Sequence, residues 1–421
     1  MISKERLKEI LVDQRKAILS RNMGVEREIL EEIARKIRLP HVIVITGIRR
    51  CGKSTILRQI VKKFYGDEDF YYVNFEDERL MDFKAEEFNS LYECLIELFG
   101  NKKTFFLDEV QNIDKFESFV RRFSEDGFKF FITGSNAKLL SRELGTKLAG
   151  RHVDINAKPF SFREYLLLKE AKFEKNMVYS TQERVKLKKY FEDYFIKGGM
   201  PEYLIYDDLE ILSRIYEDIV IKDILVRHNL SDVVSLKSVY KYLLNVYSNK
   251  FSYNFIKNET GLGSVNTAKN YIEYLRDTYF AIILNKFDYS TKKQIVNDKK
   301  IYLLDNGFIQ LATSRGAKER GWALENLVCS ILMDGRELFY YSGKNECDFI
   351  VQEGRKIISA FQVCYELNEN SRKRETAGIL EAMEKFHLRE GFILTWDQEE
   401  ELNINGKRIL IKPVWKWVLE Q

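Results

Sequence analysis

Proline is scarce, with four in 421 residues, and neither an internal repeat nor a low-complexity tract is present, which leaves no room for proline-rich linkers or repeat architectures. Paired cysteines are missing as well. Cys51, Cys94, Cys329, Cys347 and Cys364 form no CxxC spacing, and scattered thiols in a large chain point to a reducing compartment. No apolar run approaches membrane-spanning length, and Met1 to Lys16 alternates charge with apolar residues instead of placing an apolar stretch after a basic start. Neither a secretory signal nor a membrane partner is expected, and the cytoplasm is the expected location. An excess of one charge is also lacking: 68 Lys and Arg face 64 Asp and Glu, a net charge of +4. Any polyanion-binding surface must therefore be local.

What is present is ample core material, 45% hydrophobic residues with 31% charged, in a chain long enough for two to four domains at roughly 100–200 residues each. Apolar residues from Leu7 to Ile37 recur at helical spacing until Pro40 stops them, so two helices precede a strand. Short apolar runs at Val42 to Ile45, Phe70 to Phe75, Thr104 to Leu107 and Phe128 to Ile132 then alternate with helical segments, the pattern of a parallel sheet covered by helices. From Ser161 to Tyr247 the pattern is helical, as in Phe162 to Glu170, Glu183 to Ile196 and Leu209 to Leu225, and predicts a lid or linker. Phe251 to Leu284 reads as helix, turn at Gly261 to Gly263, a second helix capped by Ser264 and a strand near Tyr279, a winged-helix pattern. Alternation returns beyond Lys300, with a helix at Trp322 to Met333, strands at Glu337 to Tyr341, Cys347 to Gln352 and Ile357 to Cys364, and a helix to Phe386. The expected segments are 1–160, 161–247, 248–305 and 306–421.

The segment Gly47-Ile48-Arg49-Arg50-Cys51-Gly52-Lys53-Ser54 fits GxxxxGK[ST] between an apolar strand and a helix. Glycines let the loop curl so that backbone N–H groups face phosphates, and the helix N-terminus adds partial positive charge. ATP is the expected ligand, held by Gly47, Ile48, Arg49, Arg50, Cys51, Gly52, Lys53, Ser54 and Thr55. Lys53 is the catalytic cation for the β and γ phosphates, and Ser54 offers a hydroxyl to Mg2+. Thr104 to Glu109 is an apolar strand ending in two acids and resembles a Walker B segment. Asp108 is expected to hold Mg2+ through water, and Glu109 to orient and deprotonate the attacking water. Ser135 or Asn136, ending the next apolar run, is the candidate sensor of the γ-phosphate, with a plain strand-to-helix turn as the competing reading. Arg151 is a candidate γ-phosphate partner, within the chain or across a subunit interface, with Arg142 as the alternative.

These residues resemble those of prokaryotic AAA-type, STAND-related ATPases that carry a winged helix and a C-terminal domain of the PD-(D/E)xK nuclease fold. Further marks are Leu148 to Arg151 followed by Pro159 to Phe162, Gly198-Gly199-Met200-Pro201, Glu325-Asn326, Glu346 to Phe349 and Gln362-Val363-Cys364. The resemblance implies an α/β chain: a three-layer P-loop domain with a parallel sheet, a helical lid plus winged helix, and a restriction-endonuclease-like α/β domain. It also implies that Pro201, in a GxP element, lets the lid feel the nucleotide. In nucleases of that fold a helical Glu and two strand acids hold Mg2+, and a Lys two residues after the last acid steadies the attacking hydroxide. The matching positions here are Glu325, Asp348 and Gln362, but Cys364 stands where that Lys belongs, and Lys344 or Lys356 is left to replace it. On the winged unit, Ser264, Asn266, Thr267, Lys269 and Asn270 are able to meet a DNA groove, and Lys292, Lys293, Lys299 and Lys300 are expected on the wing. A packing module whose lysines keep a hairpin soluble is the other reading. The expected activity is a Mg2+-dependent ATPase switch acting on DNA or a protein partner, as monomer or oligomer; an ATP-regulated metal-dependent nuclease is the alternative.

Overall fold

A computed structural model describes residues 2–66, 69–135, 150–312, 319–333 and 335–420. The chain divides into two compact units, Met1–Phe160 and Ser161–Gln421. In the first, five strands, β1 (Val42–Thr46), β2 (Tyr71–Asn74), β3 (Thr104–Asp108), β4 (Lys129–Gly134) and β5 (His152–Asn156), form a sheet in the order β2-β3-β4-β1-β5. Every adjacent pair in it is parallel. A parallel sheet is covered on both faces, which explains why all five residues of β1 and of β3 are buried and read as unbroken apolar runs. Register between β3 and β4 pairs Phe105 with Phe130 and Phe106 with Phe131. Each pair stacks, at 5.0 Å and 4.6 Å between ring centres, an arrangement worth about 0.5–1.5 kcal/mol beyond area burial. Helix Lys4–Ser20, capped by Ser3, buries Leu7, Ile10, Leu11, Gln14 and Ile18 at three- and four-residue spacing.

This register decides where chemistry gathers. Thr46 lies beside Gly134, and Leu107 beside Ile132, so the loop after β1, the acids closing β3 and Ser135 after β4 emerge at the same carboxyl edge. That edge is where open α/β sheets bind ligands.

The second unit begins with helices Phe162–Leu168, Thr181–Lys197, Pro201–Tyr206 and Leu209–Asp218. Helix Val233–Asn245, β6 (Lys250–Phe251), helices Tyr253–Thr260 and Val265–Asp277, β7 (Ala281–Lys286) and β8 (Lys299–Leu303) follow. Next come helix Glu319–Leu332, β9 (Glu337–Ser342), β10 (Glu346–Glu353), β11 (Lys356–Val363), helix Glu369–Lys385, β12 (Glu390–Thr395), β13 (Glu400–Ile404), β14 (Lys407–Pro413) and helix Val414–Glu420. All nine strands form one mixed sheet, β13-β14-β12-β11-β10-β9-β7-β8-β6. Strand β7 pairs antiparallel with β8 on one side and parallel with β9 on the other, so the strands on either side of residue 305 belong to a single sheet.

The lysines expected on a wing separate into two kinds. Lys292 and Lys293 are exposed on the short helix Thr291–Val296, whereas Lys299 and Lys300 are buried in β8. The expectation of surface lysines is corrected for the latter two. Lys299 Nζ donates to the Ile295 and Asn297 carbonyls, which holds its stem inward, and Lys300 is drawn in by three carboxylates. Among the described residues no helix is long and apolar enough to cross a membrane.

Candidate functional site

The loop between β1 and helix Lys53–Ile60 closes against the chain leaving β5. Gly47 has φ +155°, and a Cβ there would lie 2.1 Å from the Ala157 carbonyl oxygen, so no side chain fits. The Cys51 thiol donates to that same carbonyl at 3.2 Å, and burial pushes its pKa up. Gly52 caps the helix at φ +99°, and Lys53 follows it. The Lys53 ammonium is 4% exposed; it donates to the carbonyls of Gly47 at 3.2 Å and Ile48 at 3.3 Å and pairs with Glu109 Oε1 at 3.4 Å. Burial opposes the charge of Lys53, but Glu109, Cys51 and Asp108 outweigh it and raise its pKa. Burial likewise pushes the Glu109 carboxyl up, and Lys53, Gln111 and Arg49 reverse this to hold it below its ordinary value.

Asp108 is fully buried. Its Oδ1 accepts from Thr133 Oγ1 at 2.5 Å and its Oδ2 from the Tyr72 hydroxyl at 3.0 Å; the Ser54 hydroxyl bonds it as well. Burial, then the neighbouring Glu109, raise the Asp108 pKa. Thr133 Oγ1 also accepts from the Glu109 backbone N–H at 2.9 Å, which anchors Glu109 in its left-handed conformation at φ 50°. Lys53, Ser54, Asp108 and Glu109 thus meet at one point, with Ser135 buried at the adjoining strand end. Arg49 reaches Glu76 at 3.2 Å. Asn136 and Arg142 lie outside the described residues. Arg151 is not at this edge. It precedes β5, its carbonyl accepts from the Val42 N–H at the amino end of β1, and its exposed side chain sits 3.8 Å from Glu125. A strand of roughly 3.3 Å per residue separates it from the loop, so its within-chain role at the γ-phosphate is corrected.

In the second unit, Gly198 to Pro201 wraps a buried carboxylate. Gly199 N–H donates to Asp305 Oδ2 at 2.6 Å, and a Cβ on Gly198 would come within 1.9 Å of Asp305 Oδ1. Pro201 opens helix Pro201–Tyr206. Glu325, Asp348 and Gln362 are also brought together, but around an ammonium that sequence reasoning put elsewhere. Lys300 Nζ lies 3.0 Å from Glu325 Oε1, 2.9 Å from Glu346 Oε1 and 3.2 Å from Asp348 Oδ1. Asp348 N–H donates to Gln362 Oε1 at 3.2 Å, and Gln362 Nε2 to Glu375 at 2.5 Å. Burial pushes the Glu325 carboxyl up, and the Lys300 ammonium pulls it back. Lys344 and Lys356 are exposed, and Cys364 is a buried thiol donating to the Glu366 carbonyl at 3.1 Å.

Residues 40–166 match the AAA domain family, and residues 188–319 match a domain of unknown function, DUF8612. An uncharacterized protein of Methanocaldococcus jannaschii, MJ1544, is 35% identical over 441 residues, covering 100% of this chain and 96% of that protein. The chain belongs to the MJ1544 family. An uncharacterized protein of Haemophilus influenzae is 29% identical, covering 90% of this chain and 94% of its own length. Among solved structures, AMPPCP-bound DnaA from Aquifex aeolicus aligns with 59% of this chain and 87% of its own at 14% identity, with a TM-score of 0.25, too low to carry an argument. The first unit of this family member is thus an AAA-type P-loop domain, on the match to residues 40–166.

The places taken by two residues escaped the sequence reading. Arg27, 4% exposed, donates Nη1 to the Cys51 carbonyl at 2.8 Å and Nη2 to the Lys158 carbonyl at 2.6 Å, with its guanidinium over the Phe160 ring. It braces the P-loop against the last residues of the unit. The other is Lys300. Neither sits in a motif, so only their burial could have revealed them.

Proposed function

We propose that the chain is a Mg2+-dependent ATPase whose nucleotide state acts as a switch. What carries the proposal is the ion pair of Lys53 with Glu109 beside Ser54 and Asp108 at the carboxyl edge of the sheet. The residues suit a triphosphate and its cation: a buried ammonium, a helix N-terminus and a glycine loop for the phosphates, with a hydroxyl and a carboxylate as hard oxygen donors for Mg2+. Mg2+ there would neutralise charge developing on the phosphate oxygens. Lys53 leaves Glu109 to pair with phosphate, and the freed Glu109 carboxylate orients the attacking water and takes its proton. Thr133 keeps the two acids apart in role, bonding the side chain of Asp108 and the backbone of Glu109. Ser135, and Asn136 beside it, remain the proposed sensors, and Arg151 serves only if it reaches the nucleotide of a neighbouring copy.

Lys53→Ala should abolish both ATP binding and turnover. Glu109→Gln should retain bound ATP and lose turnover by about 10²–10⁴-fold, the contribution of a general base. Equal turnover in wild type and both variants would end the proposal.

DNA is the proposed partner of the second unit. The order helix, strand, two helices, strand, short helix and strand from Val233 to Leu303 supports a winged helix, and Ser264, Asn266, Lys269 and Asn270 are exposed on helix Val265–Asp277 and its N-cap. The cytoplasm is the proposed location, and Pro201 the proposed relay of the nucleotide state.

A further inference from the structure

The buried cluster in the second unit has the acids expected of a metal centre and a different occupant. Two elements supply the three carboxylates: helix Glu319–Leu332 gives Glu325, and β10 gives Glu346 and Asp348. A third element, β8, supplies the ammonium of Lys300, which is 4% exposed. An ammonium has three N–H donors, and here each faces one carboxylate oxygen, at 3.0, 2.9 and 3.2 Å. The remaining contacts of these carboxylates are also protein groups: Tyr302 hydroxyl donates to Glu325 at 2.7 Å, Val363 N–H to Asp348 Oδ2 at 3.0 Å, and Lys250 pairs with Glu346 Oε2. A divalent cation needs several oxygen ligands at about 2.0–2.6 Å, and the point equidistant from these three is filled by a positive group that would repel it. Among the described residues no group of three or more His, Cys, Asp or Glu side chains is disposed to hold a metal ion. The residues therefore do not fit the metal that the nuclease resemblance implies.

We infer that Lys300 stands in place of a divalent cation, making the cluster a metal-free clamp that fixes β8, and with it the strands behind helix Val265–Asp277, to helix Glu319–Leu332 and β10. On the reading that the second unit meets DNA, it does so without cutting. Removing the ammonium leaves Glu325 and Asp348 without their cationic partner and Glu346 with Lys250 alone, which is costly for enclosed carboxylates, and a small divalent cation is the neutralising group that such a set of hard oxygens accepts.

The test is Mn2+ uptake by the nucleotide-free full chain, followed by electron paramagnetic resonance titration. Any Mn2+ taken by the first unit is common to all variants. Wild type and Asp348→Asn should take up equal Mn2+; Lys300→Met should bind one equivalent more and rise in melting temperature with Mn2+; Lys300→Met combined with Asp348→Asn should lose that gain. The inference is overturned if Asp348→Asn costs the wild type one equivalent, if Lys300→Met with a native circular dichroism spectrum gains none, or if wild type cuts plasmid with Mn2+ and Asp348→Asn does not. Should Lys300→Met not fold, wild type against Asp348→Asn and Glu325→Gln decides: equal uptake supports the clamp, and a lost equivalent overturns it.

Discussion

Arg27 shows how much a single side chain outside any motif can settle. The P-loop carbonyl of Cys51 and the carbonyl of Lys158 are held by the two ends of one guanidinium, and Gln59, on the helix that the P-loop starts, accepts from the Arg27 backbone N–H at 3.2 Å. Charge-assisted bonds of this kind contribute about 1.5–3 kcal/mol each. Arg27→Ala should therefore weaken ATP binding by about tenfold or more, the equivalent of 1.4 kcal/mol, and lower thermal stability. Arg27→Lys should recover only part of this, because one compact ammonium does not span two carbonyls. Titration with a fluorescent ATP analogue alongside thermal unfolding reads both; full affinity in Arg27→Ala would show the brace to be idle. The glycines, Lys53, Ser54, Asp108 and Glu109 were legible because their spacing is local and their chemistry dictates the loop. Arg27 was not: a lone arginine between two helices reads as a surface residue, and its partners lie 24 and 131 residues along the chain.

At the scale of elements, the segment joining helices Thr181–Lys197 and Pro201–Tyr206 depends on one carboxyl. Burial pushes Asp305 from its ordinary 3.8 up to about 6, while the Gly199 and Gly307 N–H groups pull the other way. The folded protein thus holds this proton more tightly than the unfolded chain does. The resulting stabilisation is complete below the unfolded value and is lost as pH rises through about 6. Wild type should gain on Asp305→Asn by about 2 kcal/mol between roughly pH 7 and pH 4, read as the difference of their denaturation midpoints at each pH. A constant gap would mean that Asp305 titrates as it does in water. The strands of the first sheet could be read from apolar runs such as Thr104 to Leu107 because burial on both faces erases polar alternation. Strand β6, two residues long, carries no period at all, and the parallel pairing of β7 with β9 joins segments too far apart for local pattern to reveal.

Across the whole molecule, near balance of charge makes burial of particular lysines decisive for any nucleic-acid surface. Lys299 and Lys300 looked like wing residues because the lysine-rich segment from Ser290 to Lys300 reads as a solvated hairpin. In the fold, the acids that draw Lys300 inward, Glu325, Glu346 and Asp348, lie far onward in the chain. Of the five lysines named on this face, Lys269, Lys292 and Lys293 are exposed, and only exposed cations displace counterions from DNA. Each phosphate neutralised contributes a slope of about −0.9 in a plot of log affinity against log salt. With three such lysines the slope should not exceed about −3 in magnitude. Lys269→Ala should flatten it by about 1, while Lys299→Ala, removing a charge already turned into the protein, should leave it unchanged. Gel-shift titrations across salt concentrations, run with and without ATP, measure these slopes. A slope indifferent to Lys269→Ala, or one that responds to Lys299→Ala in a folded protein, would place the contact elsewhere than on helix Val265–Asp277, because the counterions released are set by which cations the fold leaves in water.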